Sequence, residues 1–238
     1  MLPPINHLSS NAGMLFNNAT EMCRAISAPQ DSPVHQREAL ASILLAFFST
    51  EAFINELGQL AEFVARDRAD LPGWIATLAS ILEEAENSRS PIESKYVLAH
   101  FILTGRPFDR AAQPFQDFAL LTDVRNVLVH RKPLDARLEK DESGVYKWSE
   151  PKLMRQLQSA KIIQATDSLR KAAERNKADT LIADAVGQVS TQAVAAWACR
   201  TAAAIVNAII DGIPSGSFRA LVETMYRMYF RSESSSPV

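Results

Sequence analysis

Apolar residues return along most of this chain at intervals of three and four, the spacing that lines one face of an α-helix. The clearest run follows the break Ala28-Pro29-Gln30-Asp31-Ser32-Pro33, where Ser32 suits an N-cap and Pro33 the first helical position. A long helix is predicted from about Pro33 to about Asp67. At about 100° per residue, Leu40, Ile43, Phe47, Ile54, Gly58, Ala61 and Ala65 fall within one narrow arc. Glu51 lies about 40° from Phe47 and Asn55 about 80°, so both sit at the edge of the core stripe rather than on the wet face. Gly58 lies within the stripe, where the missing side chain lets another helix approach closely.

The same pattern predicts helices over Met14 to Ile26 and over Trp74 to Asn87, the latter with Trp74, Leu78, Ile81 and Leu82 inward. Ser90-Pro91 opens another, with Glu93 placed as in a capping box relative to Ser90. It runs to about Leu103, and Gly105 and Pro107 end it. A helix follows Pro114 and reaches about His130. Residues 131–150 are charged and form the least structured internal segment, with Val145 to Trp148 as a short extended piece. Short helices are expected over about 151–160 and 164–175. A long helix rich in Ala, Val and Ile follows over Asp179 to Ile210, and a last amphipathic one over Ser217 to Phe230. No repeat, low-complexity run or linker interrupts the chain. Residues 1–238 are therefore expected to form a single all-α domain, a multi-helix bundle with mostly short connections.

Composition narrows the options. Of the 238 residues, 47% are hydrophobic, ample for a core, and only 8 are glycine, too few for the frequent turns of an all-β design. The net charge of −2 supplies no general pull toward nucleic acid, so any RNA contact must come from a local basic patch. Cys23 and Cys199 lie far apart with no motif around them and are expected to be two buried, reduced thiols. The first residues lack the basic and apolar regions of a secretory signal. The apolar stretch Ala193 to Ile210 is broken by Arg200 and Asn207, which predicts a buried helix rather than a membrane span. The expectation is a cytoplasmic protein without a membrane partner. His7, His35 and His100 stand at no ligand spacing to one another, to cysteine or to an acidic cluster, so neither a metal nor another cofactor is expected. Glu83, Glu84 and Glu86 read as a solvated helix face. Neither a glycine-rich phosphate loop nor a nucleophile elbow is present.

The candidate chemistry lies in Arg125-Asn126-Val127-Leu128-Val129-His130, at the end of an apolar segment and directly before Arg131, Lys132 and Pro133. Leu120, Leu121, Val124, Val127 and Leu128 form the apolar face of this helix. Gln116, Asp123, Asn126 and His130 share a polar face, with Asn126 and His130 one turn apart. Arg125 falls between Leu121 and Val129, beside the apolar arc, and must snorkel or find a carboxylate. Glu51, at the edge of the long helix's stripe, is the expected partner. The plain alternative is a helix that ends in cations, which its C-terminus favours.

This stretch resembles the signature of the HEPN superfamily, small all-helical domains in which an Arg is followed four to six residues later by a His near a helix end. The residue after the Arg is commonly Asn, Asp or His, and here it is Asn126. The upstream stretch Ser49 to Leu57 is similar to the paired long helix of several HEPN families. The resemblance places the motif-bearing core at about 33–134 and leaves about 151–231 as C-terminal helical elaboration. It implies a metal-independent endoribonuclease, a toxin or anti-phage defence effector cutting cellular RNA such as tRNA or mRNA to a 2′,3′-cyclic phosphate. His130 would move the proton and Arg125 would stabilise the phosphoryl oxygens. Asn126 would orient the phosphate or His130, and Arg131 and Lys132 would contact RNA. Glu51 and Asn55 would be supporting residues. Five residues on a helix turn through about 500°, so Arg125 and His130 point about 140° apart. The implied solution is a homodimer with a composite site, with an antitoxin or regulatory protein as a further partner. Basic residues gather beyond the motif (Arg137, Lys140, Lys147 and Lys152), with Tyr146 and Trp148 interleaved, a pattern open to an RNA-contacting flap or to a plain solvated loop. The rival function is a non-catalytic helical module binding nucleotide, RNA or a protein partner.

Overall fold

The computed structural model describes residues 10–26, 33–67, 72–130, 137–140, 146–149, 151–164 and 186–231. Its helices are α1 (Asn11–Ala25), α2 (Pro33–Asp67), α3 (Gly73–Asn87), α4 (Ile92–Thr104), α5 (Phe115–His130), α6 (Lys152–Ser159), α7 (Gln192–Gly212) and α8 (Ser217–Val222), which continues as a π-helical turn, Glu223–Arg227. A two-stranded antiparallel ribbon stands between α5 and α6: β1 (Arg137–Lys140) pairs with β2 (Tyr146–Ser149), Leu138 opposite Trp148. Among the described residues the architecture is all-helical apart from this ribbon.

The other helices are arranged around α2. It begins at Pro33, as its sequence predicts, and packs against α1, α3, α4, α5 and α7. The narrow stripe read from its periodicity is too narrow. Phe53, Leu57, Leu60 and Val64 are buried as well as Ile43, Phe47, Ile54 and Ala61, because neighbours enclose the helix on several sides. Small and hydroxylated positions make this possible. Ser42, Ser49 and Thr50 are buried, and their hydroxyls donate to backbone carbonyls of Ala19, Ala46 and Phe47, so none is left unsatisfied. Gly58 faces α3, where a Cβ would stand 3.0 Å from Leu82 Cβ. That glycine sets how closely the two helices approach.

The start of α1 and the π-helical turn are both tied to α2 through Glu56. One carboxylate oxygen accepts the backbone N–H of Ala12, in the first turn of α1. The other accepts the hydroxyls of Ser10 and of Tyr226, the latter at 2.9 Å. Burial and the adjacent Glu56 charge push the Tyr226 phenol above its ordinary range. Aromatic contacts close the same corner: Phe53 meets Tyr226 edge-on at 5.0 Å, and Phe16 lies 4.5 Å from Phe230.

Several local expectations change. Pro91 occupies the N-cap of α4 and no side chain caps it. Glu93 is then one position too early for a capping box, and the Ser90 hydroxyl pairs with that of Ser88 at 2.9 Å. Gly105 ends α4 as expected, in the left-handed conformation at φ 70°. The helix expected from Asp179 is interrupted. Residues 186–189 are helical, and α7 starts afresh at Gln192 with the Thr191 hydroxyl accepting the Val194 N–H. The start of that expected helix and the one over 164–175 lie outside the described residues. The last predicted helix is regular only to Val222. A cluster of Arg219, Glu223, Arg227 and Asp211 accompanies the wider turn beyond it. By length and composition alone, Val34–Arg66 and α7 are each long and apolar enough to cross a membrane, and here both lie at the centre of the packing.

Candidate active site

The motif helix α5 is positioned from three sides, by α2, α6 and α7. Leu121, Val124 and Phe118 are fully buried and Leu120 nearly so, while Val127 and Leu128 are half-buried against the core, as the apolar face of its wheel requires. Phe118 stacks 4.8 Å from Tyr96 of α4. The Tyr96 hydroxyl, fully buried, donates to the Thr50 carbonyl of α2. Burial holds that phenol protonated, which suits a fixed donor. The rotation of α5 about its axis is thereby set by a rigid stack.

Arg125 leans toward the apolar side, in the direction its sequence position predicts. Its expected partner is a different matter. Glu51 makes no hydrogen bond or ion pair with it among the described residues. The guanidinium instead lies over two consecutive rings of α2, with its central carbon 5.3 Å from the Phe47 centroid and 6.0 Å from that of Phe48. Those rings are set edge-on to each other at 71°. Aromatic faces carry negative potential and attract a cation that has shed part of its water. Glu51 stands one turn beyond Phe47 on α2.

Arg125 also donates from Nη1 to Asn126 Oδ1 at 3.1 Å. With its carbonyl so used, the Asn126 amide keeps two N–H donors for an acceptor such as a phosphoryl oxygen. Asn126 is half-buried and Asp123, three residues earlier on the same face, is exposed. His130 is the last residue of α5, and its side chain is not among those described. Arg131 and Lys132 lie outside the described residues.

Asn55 does not join this site. Its side-chain carbonyl accepts from Lys95 of α4 at 3.0 Å, and Lys95 also pairs with Glu86 of α3. Lys95 is 5% exposed, so these two partners satisfy a buried ammonium where three helices meet. Glu86 thus has a structural partner, although its carboxylate remains largely exposed. His100 stacks on Phe108 at 4.3 Å, with ring Nδ1 3.1 Å from the Arg106 carbonyl, and belongs to the end of α4. Among the described residues, no three His, Cys, Asp or Glu side chains gather in a set that could hold a metal ion.

A cleft of about 750 Å³ opens between the first half of α5 and α6. Three cations line it, Arg110, Lys152 and Arg155, together with Gln116, Asp117 and Asp123. None of the three cations is ion-paired among the described residues. Gln116 and Asp123 belong to the polar face that continues to Asn126 and His130. Lys152 belongs to the basic residues that follow the motif in sequence, whereas Arg110 and Arg155 carry no local signal that brings them beside it. They approach only because α6 folds back onto α5. Comparison with family models, with curated proteins and with solved structures finds no match to this chain.

Proposed function

We propose that this protein is a metal-independent endoribonuclease of HEPN type, acting on cellular RNA as a toxin or defence effector. The observation that carries the reading is the placement of Arg125 and Asn126. A planar guanidinium is held between α2 and α5 by Phe47 and Phe48, and it orients the amide of the neighbouring Asn126. Preorganised donors of this kind serve a reaction in which negative charge grows on phosphoryl oxygens.

In the proposed reaction His130 takes the proton of a ribose 2′-OH. The 2′ oxygen attacks the adjacent phosphorus, and the bond to the 5′ oxygen breaks. The leaving oxygen receives a proton, giving a 2′,3′-cyclic phosphate and a 5′-hydroxyl end. Arg125 and Asn126 stabilise the charge on the non-bridging oxygens. The flanking strand follows the polar face of α5, with its phosphates against Arg110, Lys152 and Arg155. Because Arg125 and His130 diverge on one helix, the site is completed by a second copy of the chain. An antitoxin or regulatory protein would cover this face.

The test is complementation. Arg125→Ala and His130→Ala are each expected to lower cleavage of a labelled RNA by about 10²-fold or more. A mixture of the two variants, exchanged between dimers, is expected to regain part of the activity, since one composite site per mixed dimer is then intact. No recovery in dimers shown to be mixed overturns the composite site, and wild-type cleavage by either variant alone overturns the catalytic assignment.

A second reading has its own observation. The cradle that orients Arg125 would also serve a guanidinium whose role is to join α2 and α5 in a non-catalytic binding module. In that case Arg125→Ala lowers thermal stability and leaves no RNA cleavage to lose.

A further inference from the structure

The cleft between α5 and α6 carries both signs of charge and keeps them apart. Arg110 comes from the connection between α4 and α5 and leans over the Phe115 ring, 6.0 Å from its centroid. Lys152 and Arg155 stand three apart on α6, which places them on one face of that helix. Gln116, Asp117 and Asp123 come from α5. Cations and carboxylates that share a cleft attract one another across it. Here neither Asp117 nor Asp123 is ion-paired among the described residues, and neither are the three cations. Asp117 is half-buried and the other five are exposed. The cleft therefore offers a ligand two sets of partners, positively charged donors and negatively charged acceptors.

This mixture narrows the ligand. An acidic peptide satisfies the cations and is repelled by Asp117 and Asp123. A strand of RNA satisfies both sets. Its phosphates meet the cations, while its ribose 2′-hydroxyls and base amino groups donate to the carboxylates. DNA has the phosphates and lacks the 2′-hydroxyls. A cleft of about 750 Å³ is the size of a small-ligand site, so it takes about one or two nucleotides of a strand and no double helix. Its place on α5 fits a strand that continues to the motif. Gln116 and Asp123 lie two turns apart on one face, and Asn126 follows Asp123 by three residues. The helical rise puts Asn126 about 15 Å from Gln116 along the axis.

We infer that the α5–α6 cleft is a subsite for unpaired RNA, in which Arg110, Lys152 and Arg155 hold phosphates and Asp117 and Asp123 select ribose over deoxyribose. The phosphate contacts set position and affinity, and the two carboxylates set specificity. The inference deepens the ribonuclease reading and rests on it for the path of the strand toward Asn126, but its test is binding alone.

The experiment uses the full-length His130→Ala chain, so that RNA stays intact whether or not the wild type cuts it. Fluorescence anisotropy follows a labelled single-stranded RNA, a DNA of the same sequence, the RNA paired with its complement, and a poly-glutamate peptide, each over a range of salt. The single-stranded RNA should bind about tenfold or more tighter than each of the other three. In the triple variant Arg110→Gln, Lys152→Gln, Arg155→Gln, the slope of log K against log salt should become shallower by about 2, the loss of three single-strand phosphate contacts at about 0.7 each. In the double variant Asp117→Ala, Asp123→Ala, the advantage of RNA over DNA should shrink to within about twofold. Carboxylates that only repel phosphate would instead raise both affinities equally and leave the preference intact. Circular dichroism confirms that each variant is folded. An unchanged salt slope in the triple variant, equal binding of RNA and DNA by the parent chain, a duplex or peptide bound as tightly as the single strand, or a preference that survives loss of both carboxylates would each overturn the inference. Wild-type protein that binds RNA in this way and leaves it uncut removes the ribonuclease reading and keeps the subsite.

Discussion

Arg125→Ala removes a guanidinium that lies 5.3 and 6.0 Å from two ring centroids and bonds to Asn126. A partly desolvated cation over an aromatic face contributes about 0.5–2 kcal/mol. The bond to Asn126 adds about 1 kcal/mol. Arg125 is only half-buried, which favours the lower part of the range and gives a total loss of about 1–3 kcal/mol. For a chain of this size each kcal/mol lowers Tm by about 2–4 °C, so the variant should melt about 2–12 °C below wild type. Stability alone does not identify the partner, because many contacts break together. Phe47→Leu removes one ring face and keeps most of the volume, at a packing cost of about 1–2 kcal/mol because Phe47 is buried. The double variant isolates the pair. Urea unfolding of all four proteins should give a coupling of about 0.5–1.5 kcal/mol between Arg125 and Phe47. A coupling below about 0.3 kcal/mol would refute the cradle and, with it, the claim that this ring positions the arginine.

The remaining predictions concern the packing and the thiols. Glu56→Gln leaves a single acceptor oxygen for three donors and should lower Tm by about 2–10 °C, read by circular dichroism, while an unchanged melt would remove its role as the clasp between α1 and the π-helical turn. Gly58→Ala gains helix propensity of about 1 kcal/mol but drives a Cβ to 3.0 Å from that of Leu82, so a net loss of about 1 kcal/mol is expected and a rise in stability would contradict the close approach. Alkylation of Cys23 should rise with pH and reach half its maximum near about 7, because the lowered pKa makes the thiolate the native form above that value. The same sign makes its contribution to stability present above the unfolded thiol's pKa and lost as pH falls through about 7. In Cys199→Ala the alkylation midpoint should move upward, since the leading cause of the shift is gone.

Much of the architecture was legible because it rests on local signals. Pro33 starts α2, Gly105 stops α4, and the apolar face of α5 is buried as its wheel requires. Errors arose where tertiary contacts outvote local pattern. The wheel of α2 could show one stripe but not that five neighbours enclose the helix. Asn55 looked like a helper of the motif because it shares that stripe's edge, yet the buried ammonium of Lys95 claims it. Arg125 was expected to snorkel or to find a carboxylate, and it lies over two aromatic rings of α2. Charge logic nominated Glu51, whereas the Phe47-Phe48 pair in the same helix was the available signal for an aromatic solution. Ser90 and Glu93 show the opposite failure, a correct motif spacing shifted out of register when Pro91 took the cap.

Metal-free RNA cleavage at the Arg125–His130 strip is tested most directly by incubating purified protein with total cellular RNA in excess EDTA and sequencing the new 3′ ends. Wild type should leave 2′,3′-cyclic phosphates, and a folded His130→Ala variant should leave none. Cleavage that survives that substitution, or intact RNA under every condition in which the protein is folded and dimeric, would contradict it.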